Sequence, residues 1–169
     1  MTKFATLALG ASLIFAGAAS VHAQESKPIG LSIRAGLFFP QNGNSRNAEG
    51  SSWFAGGAEF KLKDLNWKGV GEGYRSQLSV SADFIGKGEI KNTPLLLNYT
   101  ARANEWYYTG GLGVSFSAFG GDDRTRLAYQ LGVGYDFTQG KTPFFLEAKY
   151  WGSSKAEFTG FGVYAGIRL

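Results

Sequence analysis

The chain contains no cysteine, and its one histidine, His22, sits in an apolar N-terminal segment. Without thiols there is neither a disulfide framework nor a cysteine nucleophile. Without an imidazole beyond position 22, Ser-His catalysis and histidine-ligated zinc or haem sites lose a required group. Carboxylate-only and Ser-Lys mechanisms survive this filter, but no local spacing recommends one, so no catalytic residue, metal or cofactor is expected and the chain is not read as an enzyme. Charge is sparse too, at 18% of residues, with a formal net charge of +4. The basic residues are dispersed among acidic ones, so the clustered stripe that marks nucleic-acid binding is missing. Beyond the N-terminal segment, no apolar run reaches the roughly 18 residues of a membrane-spanning helix. If the remainder enters a membrane, it must do so as strands.

The N-terminal segment reads as a secretory leader. Lys3 precedes an apolar stretch over 4–19, and Val21-His22-Ala23 supplies an A-x-A-like cleavage site before Gln24. This predicts a signal peptide over 1–23, cleaved on export, and a single domain over 24–169.

Eight stretches of that domain alternate apolar with small or polar residues, the period of a strand with two unlike faces. The clearest places Leu78, Val80, Ala82 and Phe84 on one face and Arg75, Gln77, Ser79, Ser81 and Asp83 on the other. The same rule predicts strands near 29–39, 54–62, 74–85, 95–102, 106–118, 127–137, 143–151 and 160–169. Asn- and Gly-rich segments separate them, and the connection over 63–73 is the least regular, with room for a bulge or short helix. The fold class is all-β, an eight-stranded antiparallel up-and-down transmembrane β-barrel; an even strand count returns both termini to one side.

Composition orients the wall. The polar face is narrow and rich in glycine and serine, which suits a small lumen better than a soluble exterior. Its charges, Arg34, Glu59, Lys61, Arg75, Asp83, Asp136, Glu147, Lys149 and Arg168, are expected to form an internal network that plugs the lumen. Turned outward, each Lys or Arg near a bilayer midplane would cost about 2–4 kcal/mol. Phe38, Phe39, Trp106, Tyr108, Phe119, Phe137, Tyr150 and Phe158 fall near predicted strand ends, as interface aromatics do. Trp53, Tyr107 and Trp151 fall on the lumen phase instead.

With these strands in place, the chain resembles the small outer-membrane β-barrel proteins of the OmpA/OmpX-like type. The resemblance covers nearly the whole of 24–169. It is carried by Leu131-Gly132-Val133-Gly134-Tyr135-Asp136-Phe137, by Pro143-Phe144-Phe145-Leu146-Glu147-Ala148-Lys149-Tyr150, and by Gly162-Val163-Tyr164-Ala165-Gly166-Ile167-Arg168-Leu169. Family members usually end in an aromatic residue, where this chain has Leu169.

The resemblance implies the outer membrane of a Gram-negative bacterium and insertion by the barrel assembly machinery. It implies periplasmic termini and extracellular loops at 41–51, 86–93, 120–125 and 152–157. The expected partners are outer-membrane lipids and an extracellular ligand or surface met by the loops, and the expected state is a monomer. The expected role is structural, anchoring or surface-interacting, porin-like in architecture with a lumen too narrow for a wide pore. Two competing readings are an outer-membrane lipid-modifying enzyme and a soluble periplasmic lipocalin-like binding barrel. Gly160-Phe161-Gly162-Val163-Tyr164-Ala165 matches a dinucleotide fingerprint in letters only, since no helix can follow it. Asp122-Asp123 alone is too few oxygens for calcium.

Overall fold

The computed structural model describes residues 29–65, 74–119, 122–137 and 143–169. The expected leader lies outside them, as do most of the irregular connection over 63–73 and the side chains of Phe119, Asp122 and Asp123. The strands are β1 (Leu31–Pro40), β2 (Trp53–Leu65), β3 (Tyr74–Lys87), β4 (Ile90–Ala103), β5 (Trp106–Phe119), β6 (Asp122–Phe137), β7 (Phe144–Ser153) and β8 (Gly160–Arg168). Each pairs antiparallel with its sequence neighbours, and β8 pairs with β1, so the sheet closes into an eight-stranded barrel. Closure leaves no unpaired sheet edge.

The period-two alternation fixes which way each side chain points. Along β1, Ser32, Arg34 and Phe38 are buried inside while Ala35, Leu37 and Phe39 are exposed outside. Every strand repeats the scheme, exposing Leu37, Phe54, Val80, Leu97, Leu112, Leu131, Leu146 and Val163 in turn. The fold is thus apolar outside and largely polar inside.

The strands run further than the alternation alone suggested. The segment 86–93, expected as a loop, contains only a Gly88-Glu89 turn, because β4 begins at Ile90, whose side chain is buried inside. Gly88 has φ +56, the left-handed region that favours glycine, and a Cβ there would lie 2.4 Å from the Glu49 carboxylate oxygens, which would have to move aside. Pro94 lies within β4 and keeps its register with Ser115 on β5, while the pairing with β3 skips from Leu95 to Asn92. A residue without an N–H interrupts only one ladder. Between β2 and β3 the register shifts at Lys61/Lys63, a bulge at the end of the strand expected over 54–62, while most of the connection over 63–73 lies outside the described residues.

The segment 41–51, expected as a loop, holds a short helix, α1 (Gly43–Glu49). Its seven residues carry no apolar stripe, so hydrophobic periodicity could not reveal it. The Asn42 side chain caps it by accepting from the backbone N–H of Asn44 at 2.8 Å, and Gly50, at φ 84, ends it. A single 3₁₀ turn, Ala156–Phe158, leads into β8. Both short helices lie at the end of the barrel away from Leu31 and Arg168; these ends are called the loop end and the terminal end.

Candidate functional site: the filled interior

Arg34 of β1 organises the middle of the interior. Its Nε and Nη2 donate to Asp83 of β3 at 2.8 and 2.7 Å, a two-pronged pairing. Nη1 donates to Glu59 of β2 at 2.9 Å and lies 4.0 Å from Glu147 of β7. Glu59 also accepts from the Ser79 hydroxyl at 2.6 Å, and Lys149 sits 3.3 Å from Glu147. Neutral groups extend the belt. Lys149 donates to Gln130 at 3.1 Å, Gln130 to Asn98 at 2.6 Å, and Asn98 to Ser81 at 2.9 Å. The chain of bonds therefore joins β1, β2, β3, β4, β6 and β7 across the barrel. Arg34 and Lys149 are 3% and 1% exposed, so pairing is what makes their burial tolerable.

Small residues on the inward phase make room for these bonds. A Cβ at Gly57 would lie 2.2 Å from Asp83 Oδ1, and one at Gly111 would lie 2.0 Å from Asn98 Oδ1. The glycine-rich inner face is the space that the large polar side chains occupy.

A second cluster lies towards the terminal end. Asp136 of β6 accepts from Arg102 of β4 and, at 2.9 Å, from Arg168 Nε of β8. Both guanidiniums lean on the Tyr107 ring, at 5.0 and 4.9 Å from its centroid. Between the two clusters, the space bordered by Arg34, Glu147, Tyr107 and Arg168 is about 10 Å³, room for at most about one water. Towards the loop end the interior becomes apolar, with Phe38, Trp53, Ile85, Leu96, Trp151, Phe158 and Tyr164 packed together. Trp151 Nε1 donates to the Tyr164 hydroxyl at 2.8 Å, and Ser45 of α1 donates to the Glu157 carbonyl at 2.9 Å, tying α1 to the 3₁₀ turn over this plug.

Of the charges expected in one network, Arg34, Glu59, Asp83, Glu147 and Lys149 lie together. Asp136 and Arg168 form the separate cluster with Arg102, which carried the inward phase but was not singled out. Lys61 turns to Asp64 at 3.1 Å near the terminal end. Arg75 is exposed and has no ion pair among the described residues. Both sit where the interior widens, beyond reach of the belt.

Of the aromatics expected at an interface, Phe39, Trp106, Tyr108 and Phe137 face outward and are 42%, 51%, 57% and 41% exposed. Tyr150 also faces outward, half-buried against Phe161 with ring centroids 5.0 Å apart. Phe38 and Phe158 are corrections. Phe38 shares the even phase of Ser32 and Arg34 and packs inside at 5.6 Å from Trp53, while the 3₁₀ turn folds Phe158 into the plug. Phe119 lies outside the described side chains.

Many of the outward aromatics gather in two groups. Trp106, Tyr135, Phe137 and Phe144 follow one another at the terminal end, with successive centroids 5.2, 4.9 and 5.4 Å apart. Phe39, Phe54, Phe84, Phe116 and Phe161 face outward near the loop end. Between them the exposed residues are mainly Leu and Val, with Tyr129 beside Leu112, and every outward position of β5, β7 and β8 is uncharged. Among the described residues, no group of acidic, histidine or cysteine side chains could hold a metal ion. The chain matches no family model, and neither curated proteins nor solved structures provide a match.

Proposed function

We propose that the chain is an integral outer-membrane β-barrel of the small OmpA/OmpX-like type, a membrane anchor with its interior closed to bulk solutes. The observation that carries this reading is the outer wall, which exposes a large apolar side chain on all eight strands. At roughly half exposure each such side chain forgoes about 1 kcal/mol in water. One per strand then sums to about 8 kcal/mol, comparable with the ~5–15 kcal/mol stability of a whole domain. Hydrocarbon removes that penalty, and the two aromatic groups match the headgroup levels on either side. A soluble binding barrel needs the reverse arrangement, a hollow apolar interior within a polar exterior, and this interior is crossed by a belt of charges.

In this role the wall holds the protein in the bilayer, the belt and the apolar plug block the interior, and α1 with the short connections presents a small surface at the loop end. The test is gel migration of protein made with its leader in a Gram-negative host. The unboiled outer-membrane fraction should contain a fast-migrating compact form that shifts on boiling. Recovery of a detergent-free, monodisperse periplasmic protein would overturn the assignment.

A further inference from the structure

We propose that the terminal end of the interior is a binding site for a small phosphate-bearing anion. A cavity of about 500 Å³ opens there, bordered by Lys61, Arg75, Gln77, Arg102, Asp136 and Arg168. That volume is within the range of small-molecule sites, about 300–1,000 Å³.

Among the described residues, the charges that border it are unbalanced. Asp136 is the one carboxylate shared by Arg102 and Arg168. Arg75 is the register partner of Arg102 across β3 and β4, which sets a third guanidinium directly opposite the second. Like charges so placed repel, and Arg75 has no ion pair among the described residues to relieve it. Lys61, held by Asp64, adds a fourth cation to the border. A terminal carboxylate on Leu169, also at the border, would still leave the lining net positive.

Two of the donors are also held in place before any ligand arrives. Arg168 is fixed by Asp136, by the Ser32 hydroxyl at 3.1 Å and by the face of Phe145 at 4.4 Å. Arg102 is fixed by Asp136 and Tyr107. Each guanidinium has five N–H donors, and these contacts leave several of them for a ligand. A carboxylate offers two oxygens that lie in one plane. A phosphate group offers more oxygens, spread over three dimensions, and so can take forks from Arg75 and Arg102 together. The residues named at its border are all described ones, and the site stands whether or not the wall meets lipid.

The test is calorimetric titration of the folded full chain with sodium pyrophosphate at low ionic strength, with citrate as a carboxylate of similar charge. Arg75→Gln and Arg75→Glu are the variants, since Arg75 is exposed and its loss leaves the Asp136 cluster intact; a wild-type circular dichroism spectrum verifies folding. Saturable binding of pyrophosphate is expected, weakened about tenfold by R75Q and further by R75E, with citrate weaker than pyrophosphate. Absence of saturable binding, or unchanged affinity in both variants, would overturn the site. Equal affinity for citrate would overturn its preference for phosphate.

Discussion

Arg34 faces three carboxylates on three strands, so its removal leaves Asp83, Glu59 and Glu147 buried around Lys149 alone. Breaking such a pairing from one side costs about 3–5 kcal/mol. Arg34→Met should lower the unfolding free energy by that amount in urea titrations followed by tryptophan fluorescence. Gly111 makes a subtler demand, since a Cβ there would lie 2.0 Å from Asn98 Oδ1 and disturb its bond from Gln130. Gly111→Ala should destabilise the barrel by about 1–3 kcal/mol in the same assay, the usual range for overpacking. At this scale the sequence was only partly legible. Alternation shows that Arg34, Glu59, Asp83, Glu147 and Lys149 point inward, because direction follows from period alone. It does not show which of them meet, because that depends on cross-strand register and on how far up the barrel each strand has climbed. Hence Arg75 and Lys61 were grouped with side chains they do not reach, and the neutral links Asn98 and Gln130 carried no signal of charge to draw notice. Phe38 is different: its place near a strand end suggested the interface, although its shared phase with Ser32 and Arg34 points it inside.

A strand of this barrel presents one face to each environment, and a charge placed on the wrong face is felt by the whole element. Leu112 lies midway along β5 and is 67% exposed among apolar neighbours. Leu112→Arg should cost about 2–4 kcal/mol when unfolding is measured in a lipid bilayer, whereas on a water-facing wall the same change would be nearly neutral. The cap supports the first turn of the helix α1. Asn42→Ala should weaken it by about 0.5–2 kcal/mol, read as faster proteolysis within 41–52 while the barrel stays intact. All eight strands were legible because each repeats one period over many residues. Their ends were not. The β3–β4 turn is shorter than composition suggested, since Asn92 is polar yet buried inside a strand, and α1 was hidden because seven capped residues need no apolar stripe.

For the molecule as a whole, the interior reads as three layers along the axis: a basic mouth at the terminal end, a belt of paired charges, and an apolar plug under α1 and the 3₁₀ turn. That stacking implies that planar bilayers containing the protein should show no large, steady porin-like conductance. The wall carries the central claim, that apolar side chains touch hydrocarbon while paired charges are enclosed. Because the chain has no cysteine, single cysteines can be introduced without background. Spin labels at Leu97, Leu112, Leu131 and Val163, and at inward Ser115 as reference, would be compared in reconstituted liposomes by collision with oxygen and with a water-soluble nickel complex. The four outer labels are expected to collide readily with oxygen and rarely with nickel. Nickel accessibility at those four positions equal to that of a label on an aqueous loop would contradict the account.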